Sequence, residues 1–307
     1  MSKLIELAFK LTFFFVSQSD KKRHKNNKKR EDVRVHSYPV PNTKDTLNLL
    51  STDEEKKPLL FDIHGGGWMY GDENLNLDFG KWFAEKGFHV ALPSYPLIYD
   101  GTIKDMLHSL YGSLLFLKEN EEKFHLDIEH SALVGDSAGA GLALLLCAID
   151  KSPELQKVYD LPPLPFSFSS LLLYHPCCYP KRMTFVAKPK IMNKWARKTF
   201  FELYCGKGGK KFYDLADFDD YGKMISSLPP TFLLTSAGDE FLNPMSFSLK
   251  EDFARLGFDM EFVLIKDKNF CHVQSVTEVD LPSSLKANEQ ALSFLMQQRK
   301  KEERTNS

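Results

Sequence analysis

From residue 58 onward, apolar runs alternate with segments of helical period. Strand-like runs fall at 58–63, 89–95, 131–135, 169–174, 230–236 and 260–265. Between and after them, 76–87, 103–119, 138–150, 243–257 and 282–298 carry the spacing of helices. Ahead of this series, residues 33–38 and 46–50 alternate apolar and polar positions around a Pro41-Asn42 turn, which predicts a pair of strands. Strand–helix alternation of this kind predicts an α/β architecture, a mostly parallel sheet with helices on both faces. No internal repeat or low-complexity tract interrupts it.

One interval breaks the rhythm. More than fifty residues separate the strand ending near Tyr174 from the one beginning near Thr231, far more than an ordinary connection. The stretch holds Trp195, Phe200, Phe201, Tyr204 and Tyr213. An insertion this rich in aromatic residues, about 177–228, predicts a lid or cap within a domain spanning 31–307.

The two ends of the chain differ in charge. Residues 1–30 hold nine Lys/Arg against Glu6 and Asp20, a net of +7, within a chain whose formal net is −1. The remaining residues therefore carry −8, which argues against nucleic acid as a partner. The apolar stretch over residues 4–16 is interrupted by Glu6 and Lys10. It is too short and too charged for a transmembrane helix. With its basic cluster downstream it also lacks the layout of a secretory signal. Residues 1–30 are expected to form an apolar helix and a hydrophilic linker (21–30), the helix serving as part of the cap. The alternatives are a frayed tail and an interfacial helix in weak peripheral contact with a membrane. Five cysteines without metal-type spacing predict reduced thiols and a cytoplasmic location. Cys271 is expected to be a packed, inert thiol. The sequence offers no sign of oligomeric state.

Two short motifs carry the chemistry. His64-Gly65-Gly66-Gly67-Trp68 follows one apolar run, and Gly135-Asp136-Ser137-Ala138-Gly139 follows another. The second is a G-x-S-x-G elbow, in which a serine sits on a strained strand-to-helix turn and the flanking glycines avoid backbone collisions. The first is an oxyanion-loop motif, whose backbone N–H groups can stabilise a tetrahedral intermediate. Gly65, Gly66 and Ala138 are the expected donors. His64 is expected to hold the loop by hydrogen bonding, and Asp136 to anchor the elbow.

A serine hydroxyl needs a histidine base that is itself oriented by a carboxylate. In the α/β-hydrolase arrangement the chain order is Ser, then Asp/Glu, then His. Asp239 and Glu240 follow the apolar run 230–236, and His272 follows the run 260–265. Ser137, Asp239 and His272 are therefore the expected triad, with Asp239 preferred over its neighbour because it directly follows the Gly238 turn. His175 also follows a strand-like run but precedes the carboxylate in the chain, so it is set aside as the base. No metal or organic cofactor is called for.

On these residues, together with Tyr70-Gly71, Ser94-Tyr95-Pro96-Leu97 and Asp105, the chain resembles the hormone-sensitive-lipase-like branch of the α/β hydrolases. That branch includes small microbial carboxylesterases, and the resemblance covers about residues 55–300. It implies an α/β-hydrolase fold with a helical cap, made from the N-terminal segment and an insertion after the sixth strand. It also implies serine-dependent cleavage of small carboxylic esters through an acyl-enzyme. Two departures stand out: Tyr95-Pro96 where relatives often have Tyr-Arg, and Val273 where they have a small residue or glycine. Trp68 is shared with kynurenine-formamidase-like members, which makes an arylformamidase or amidase the rival enzyme. A catalytically silent binding protein on the same fold is the rival of another class.

Overall fold

The structure is a computed structural model that describes residues 2–185, 189–209 and 215–305. Tyr213, one of the aromatics of the long insertion, lies outside the described residues.

Eight strands form one sheet in the order β1-β2-β4-β3-β5-β6-β7-β8. They are β1 (Arg34–Pro39), β2 (Thr46–Ser51), β3 (Lys57–Ile63), β4 (His89–Pro93), β5 (Leu126–Asp136), β6 (Ser170–Tyr174), β7 (Thr231–Ser236) and β8 (Met260–Ile265). β2 runs antiparallel to β1 and β4, and all later pairings are parallel. This is the α/β-hydrolase fold. β5 begins five residues earlier than the apolar run suggests, because Leu126 and Asp127 already pair with Lys57 and Pro58 of β3.

The period of two along each strand assigns side chains to two cores. On β6, Leu171 and Leu173 face one cluster, while Leu172 and Tyr174 face the other. The first cluster packs against α3 (Ile103–Glu119), α4 (Ser137–Asp150), α5 (Pro153–Tyr159) and α8 (Asn243–Leu256). The second packs against α2 (Leu77–Glu85) and α10 (Pro282–Thr305), through residues such as Phe79, Trp82, Phe83 and Phe294. Local signals set the helix ends. α3 starts at a capping box between Thr102 and Asp105, and α8 stops at Gly257, whose φ of +77° suits a residue without Cβ.

The long insertion holds α6 (Lys190–Tyr204) and the short α7 (Phe218–Tyr221), and α9 (Gln274–Thr277) follows the histidine loop. At the N-terminus, α1 (Ser2–His24) packs against α6. Its last turn corrects the expected linker: Lys21 to His24 are helical, where their charges complement the negative end of the helix dipole. Arg30 is no linker residue either. It is buried, donating to Asp280 at 2.7 Å and to Glu85 at 2.9 Å.

Candidate active site

The C-terminal ends of β3, β5, β6, β7 and β8 all deliver residues to one place, the edge where ligands bind in sheets of this type. β5 runs directly into α4, and Ser137 makes the turn at φ +50°, a conformation that costs a residue with a Cβ of order 1–3 kcal/mol. The turn requires its glycines. A Cβ on Gly135 would lie 2.6 Å from Gly139 backbone, and one on Gly139 would collide with the carbonyl of Ile63.

Three side chains sequence reasoning assigned separately meet here. Ser137 Oγ lies 3.0 Å from His272 Nε2, and His272 Nδ1 lies 2.7 Å from Asp239 Oδ2. Asp239 is buried and Glu240 is exposed, so only the former reaches the histidine. Asp239 also does what a helix-capping residue would do. Its Oδ1 accepts the N–H of Leu242 at 3.1 Å, just ahead of α8. Burial pushes this carboxyl up, but the hydrogen bonds from two histidines outweigh it and hold Asp239 well below the ordinary carboxylate range.

The second of those histidines is His175, at the end of β6, which sequence reasoning set aside. Its Nδ1 donates to the same Asp239 Oδ2 at 2.7 Å, and the ring is fully buried at φ +49°. Burial lowers its pKa, so it is a neutral donor. The available signal was position, since His175 ends the strand next to β7. The residues His175, Asp239 and His272 offer atoms close enough together to hold a metal ion. Their closeness is already accounted for by two N–H donors sharing one carboxylate oxygen, and a cation there would displace both hydrogen bonds.

Removing the His175 donor leaves the charge on Asp239 less dispersed, and an imidazolium at His272 is then held more tightly. In His175→Phe the acid limb of kcat/KM is expected to move to higher pH. His175→Asn, whose Nδ2 can stand in for Nδ1, is expected to keep the wild-type profile. Identical profiles for both variants would assign His175 to packing alone.

The oxyanion loop corrects one expectation. Gly65 N–H is not available to a substrate, because it donates to Asp136 Oδ1 at 2.9 Å. The side chain of Asn76 donates to the same oxygen at 2.8 Å and also reaches Asp62. Burial pushes the Asp136 carboxyl up to about 6 and also raises that of Asp62 well above its ordinary value. Asp136 is thus the anchor of the loop rather than a reacting group. The residues of the loop and elbow backbone that line the cavity are Gly66, Gly67 and Ala138. Gly66 takes φ +89° and Gly67 φ +62°. A Cβ on Gly66 would strike the carbonyl of Tyr70. His64 Nδ1 donates to the Gly65 carbonyl at 3.0 Å, and its ring stacks on Tyr95 at 4.3 Å. Tyr95 completes the support by donating to the carbonyls of His64 and Gly65 at 2.8 and 3.0 Å. Burial holds His64 neutral, its pKa lowered to about 4.

Ser137 opens into a cavity of about 510 Å³ with a mostly apolar wall, including Phe9, Phe13, Val16, Met183, Phe185 and Phe241. Three of these come from α1. That helix is tied down at its other end: Asp20 accepts from the Tyr70 hydroxyl, and Arg23 donates to the His272 carbonyl at 3.0 Å and to Glu278 at 3.2 Å. Cys271 is a correction, since its thiol is exposed rather than packed and lies 3.1 Å from Arg23 Nη2. Val273 stands at φ +47°, a left-handed conformation that favours glycine and marks a strained valine here.

The BD-FAE family model matches residues 47–161, a span that includes both glycine motifs. The solved structure of esterase B from Lactobacillus rhamnosis superposes with a TM-score of 0.92 at 26% identity, covering 99% of this chain and 98% of that one. An esterase of Gibberella moniliformis is 24% identical over 61% of this chain and 58% of its own length. A probable isoprenylcysteine alpha-carbonyl methylesterase of Oryza sativa subsp. japonica is 36% identical over 32% of this chain and 24% of its own. The chain thus matches less than two thirds of the length of these curated relatives. The chain has the α/β-hydrolase fold and is similar to esterases built on it. No helix among the described residues is long and apolar enough to cross a membrane.

Proposed function

We propose that the protein is a serine carboxylesterase acting on small carboxylic esters. One observation carries the reading: the Ser137–His272–Asp239 relay, at 3.0 and 2.7 Å, ends at the mouth of an apolar cavity. Ser137 Oγ attacks the ester carbonyl carbon while His272 Nε2 takes its proton. Asp239, ionised throughout, holds the Nδ1–H tautomer and faces the imidazolium that forms. The amides of Gly66, Gly67 and Ala138 receive the oxyanion, and each such donor is worth about 2.7–4 kcal/mol in the transition state. His272 returns the proton to the leaving alcohol, and water then attacks the acyl-enzyme by the same route. No step requires a metal or organic cofactor.

α1 and the segment around α6 act in this reading as a cap. Phe9, Phe13 and Val16 from one and Met183 and Phe185 ahead of the other wall the acyl side of the cavity. The volume suits short to medium acyl chains, and esterase B, which shares the fold, has been solved with a bound tributyrin phosphonate. One methylene in such a pocket discriminates by only about 1–3 kcal/mol, so a graded preference is expected rather than a single substrate.

The test is a hydrolysis profile over p-nitrophenyl esters from acetate to decanoate, with an N-formyl aryl amide included. The expected result is a kcat/KM maximum at short to medium chain length and a rate on the amide at least a hundredfold lower. Preference for the amide would reassign the enzyme to the arylformamidases, and turnover of no substrate would support a silent binding protein.

A further inference from the structure

α1 is apolar on two opposite sides. One side, with Phe9 and Phe13, turns inward: Phe9 is buried against Phe185 at 5.3 Å, and Phe13 lies 6.0 Å from Tyr70. The other side carries Leu4, Leu7, Leu11, Phe14 and Phe15, between 52% and 69% exposed. Their spacing of three and four residues places them on one helical stripe. A helix that packs on the protein alone needs one such stripe. α6 beside it shows the same excess, since Ile191, Met192 and Trp195 recur at i, i+1 and i+4 and are 50%, 46% and 38% exposed. Contiguous exposed apolar surface of this kind marks a contact with something.

Charge identifies the occupant. α1 and α6 together carry nine Lys/Arg and three Asp/Glu, a net of +6 in a chain whose formal net is −1. A second copy of the chain would bring the same +6 to the contact and be repelled. An anionic phospholipid surface satisfies both properties at once, taking the apolar side chains among its acyl chains and the lysines at its headgroups.

We infer that the outer faces of α1 and α6 form a platform that seats the enzyme on anionic phospholipid, with the cavity mouth beside it. Val16 and Phe241 link the two regions, because each lines the cavity and is also 38% and 55% exposed, respectively. Docking stands independently of the hydrolase reading. Only its consequence rests on that reading: esters dissolved in the lipid surface reach Ser137 without crossing water.

Tryptophan fluorescence offers a test on the unaltered protein. Trp68 and Trp82 are 1% and 3% exposed, so Trp195 is the accessible one of the three. Mixing with brominated vesicles of phosphatidylcholine and phosphatidylserine at 70:30 is expected to quench that emission. Pure phosphatidylcholine or 0.5 M salt should weaken binding at least tenfold, since screening shortens the reach of the lysines. The variant Leu7→Gln/Phe14→Gln/Phe15→Gln, at three positions that do not line the cavity, is expected to lose vesicle binding at least tenfold and to hydrolyse soluble p-nitrophenyl acetate within twofold of wild type. Absence of quenching in the wild type would overturn the proposal. So would a wild-type dimer in light scattering that the triple variant turns into a monomer, which would give the face to a second copy. Quenching without ester turnover would leave the platform standing and remove the esterase reading.

Discussion

Ser137→Ala is expected to lower kcat on a soluble ester by about 10⁴–10⁶, with KM within a fewfold of wild type. The hydroxyl is the only group at the β5–α4 turn placed 3.0 Å from His272 Nε2, so no neighbouring nucleophile can substitute for it. Alanine occupies the same positive-φ position at about the strain serine already bears, so the variant is expected to fold with the wild-type Tm. The Gly66, Gly67 and Ala138 amides remain, and a residual rate above the uncatalysed one is expected from them. The direct readout is covalent. A fluorophosphonate probe is expected to label Ser137 and no other serine in the wild type, and nothing in the variant, as seen by intact-protein mass spectrometry. Labelling that persists after Ser137→Ala would move the nucleophile elsewhere.

The parts of this site that depend on backbone conformation were legible in the sequence. Gly135 and Gly139 announce a turn that tolerates no Cβ, and the apolar runs before Ser137, Asp239 and His272 place all three at strand ends. Chain order then distinguishes the base from His175. What could not be read were side-chain pairs between segments far apart in the chain. The Gly65 amide looks free until Asp136, seventy-one residues later, is seen to accept it. That contact leaves Gly66 and Gly67 as the loop residues that line the cavity and, in the proposed mechanism, as the oxyanion donors. His175 was excluded as base on sound grounds, yet its position as a donor to Asp239 depends on β6 and β7 lying side by side. Residues 4–16 pose the same difficulty. Sequence reasoning weighed a cap helix against an interfacial one, because an apolar stretch says nothing about how many sides of it are covered. The inner side lines the cavity while the outer side stays exposed, so a cap and the proposed lipid contact would use opposite faces of a single helix.

Asp239→Asn is expected to lower kcat by about 10⁴, and Glu240→Gln to leave it within about tenfold. The difference follows from what each side chain faces. Oδ2 of Asp239 accepts N–H groups from both His175 and His272 at 2.7 Å, while Oδ1 accepts the Leu242 amide. An asparagine has one acceptor oxygen for these three donors, and its NH₂ must then point at an N–H. If the oxygen keeps Leu242, the NH₂ confronts both imidazoles, and His272 relieves the clash by moving its proton to Nε2. In that tautomer Nε2 can no longer accept from Ser137, so the nucleophile loses its base although every heavy atom stays near its place. The loss should shrink at high pH, where hydroxide can deprotonate the serine directly, whereas a variant that simply misfolded would stay inactive there. Glu240 meets none of these groups and its carboxylate lies in solvent, so its amide counterpart changes only a surface charge. The opposite ranking, with Glu240→Gln the inactive variant, would show that the loop after β7 presents the other carboxylate to His272.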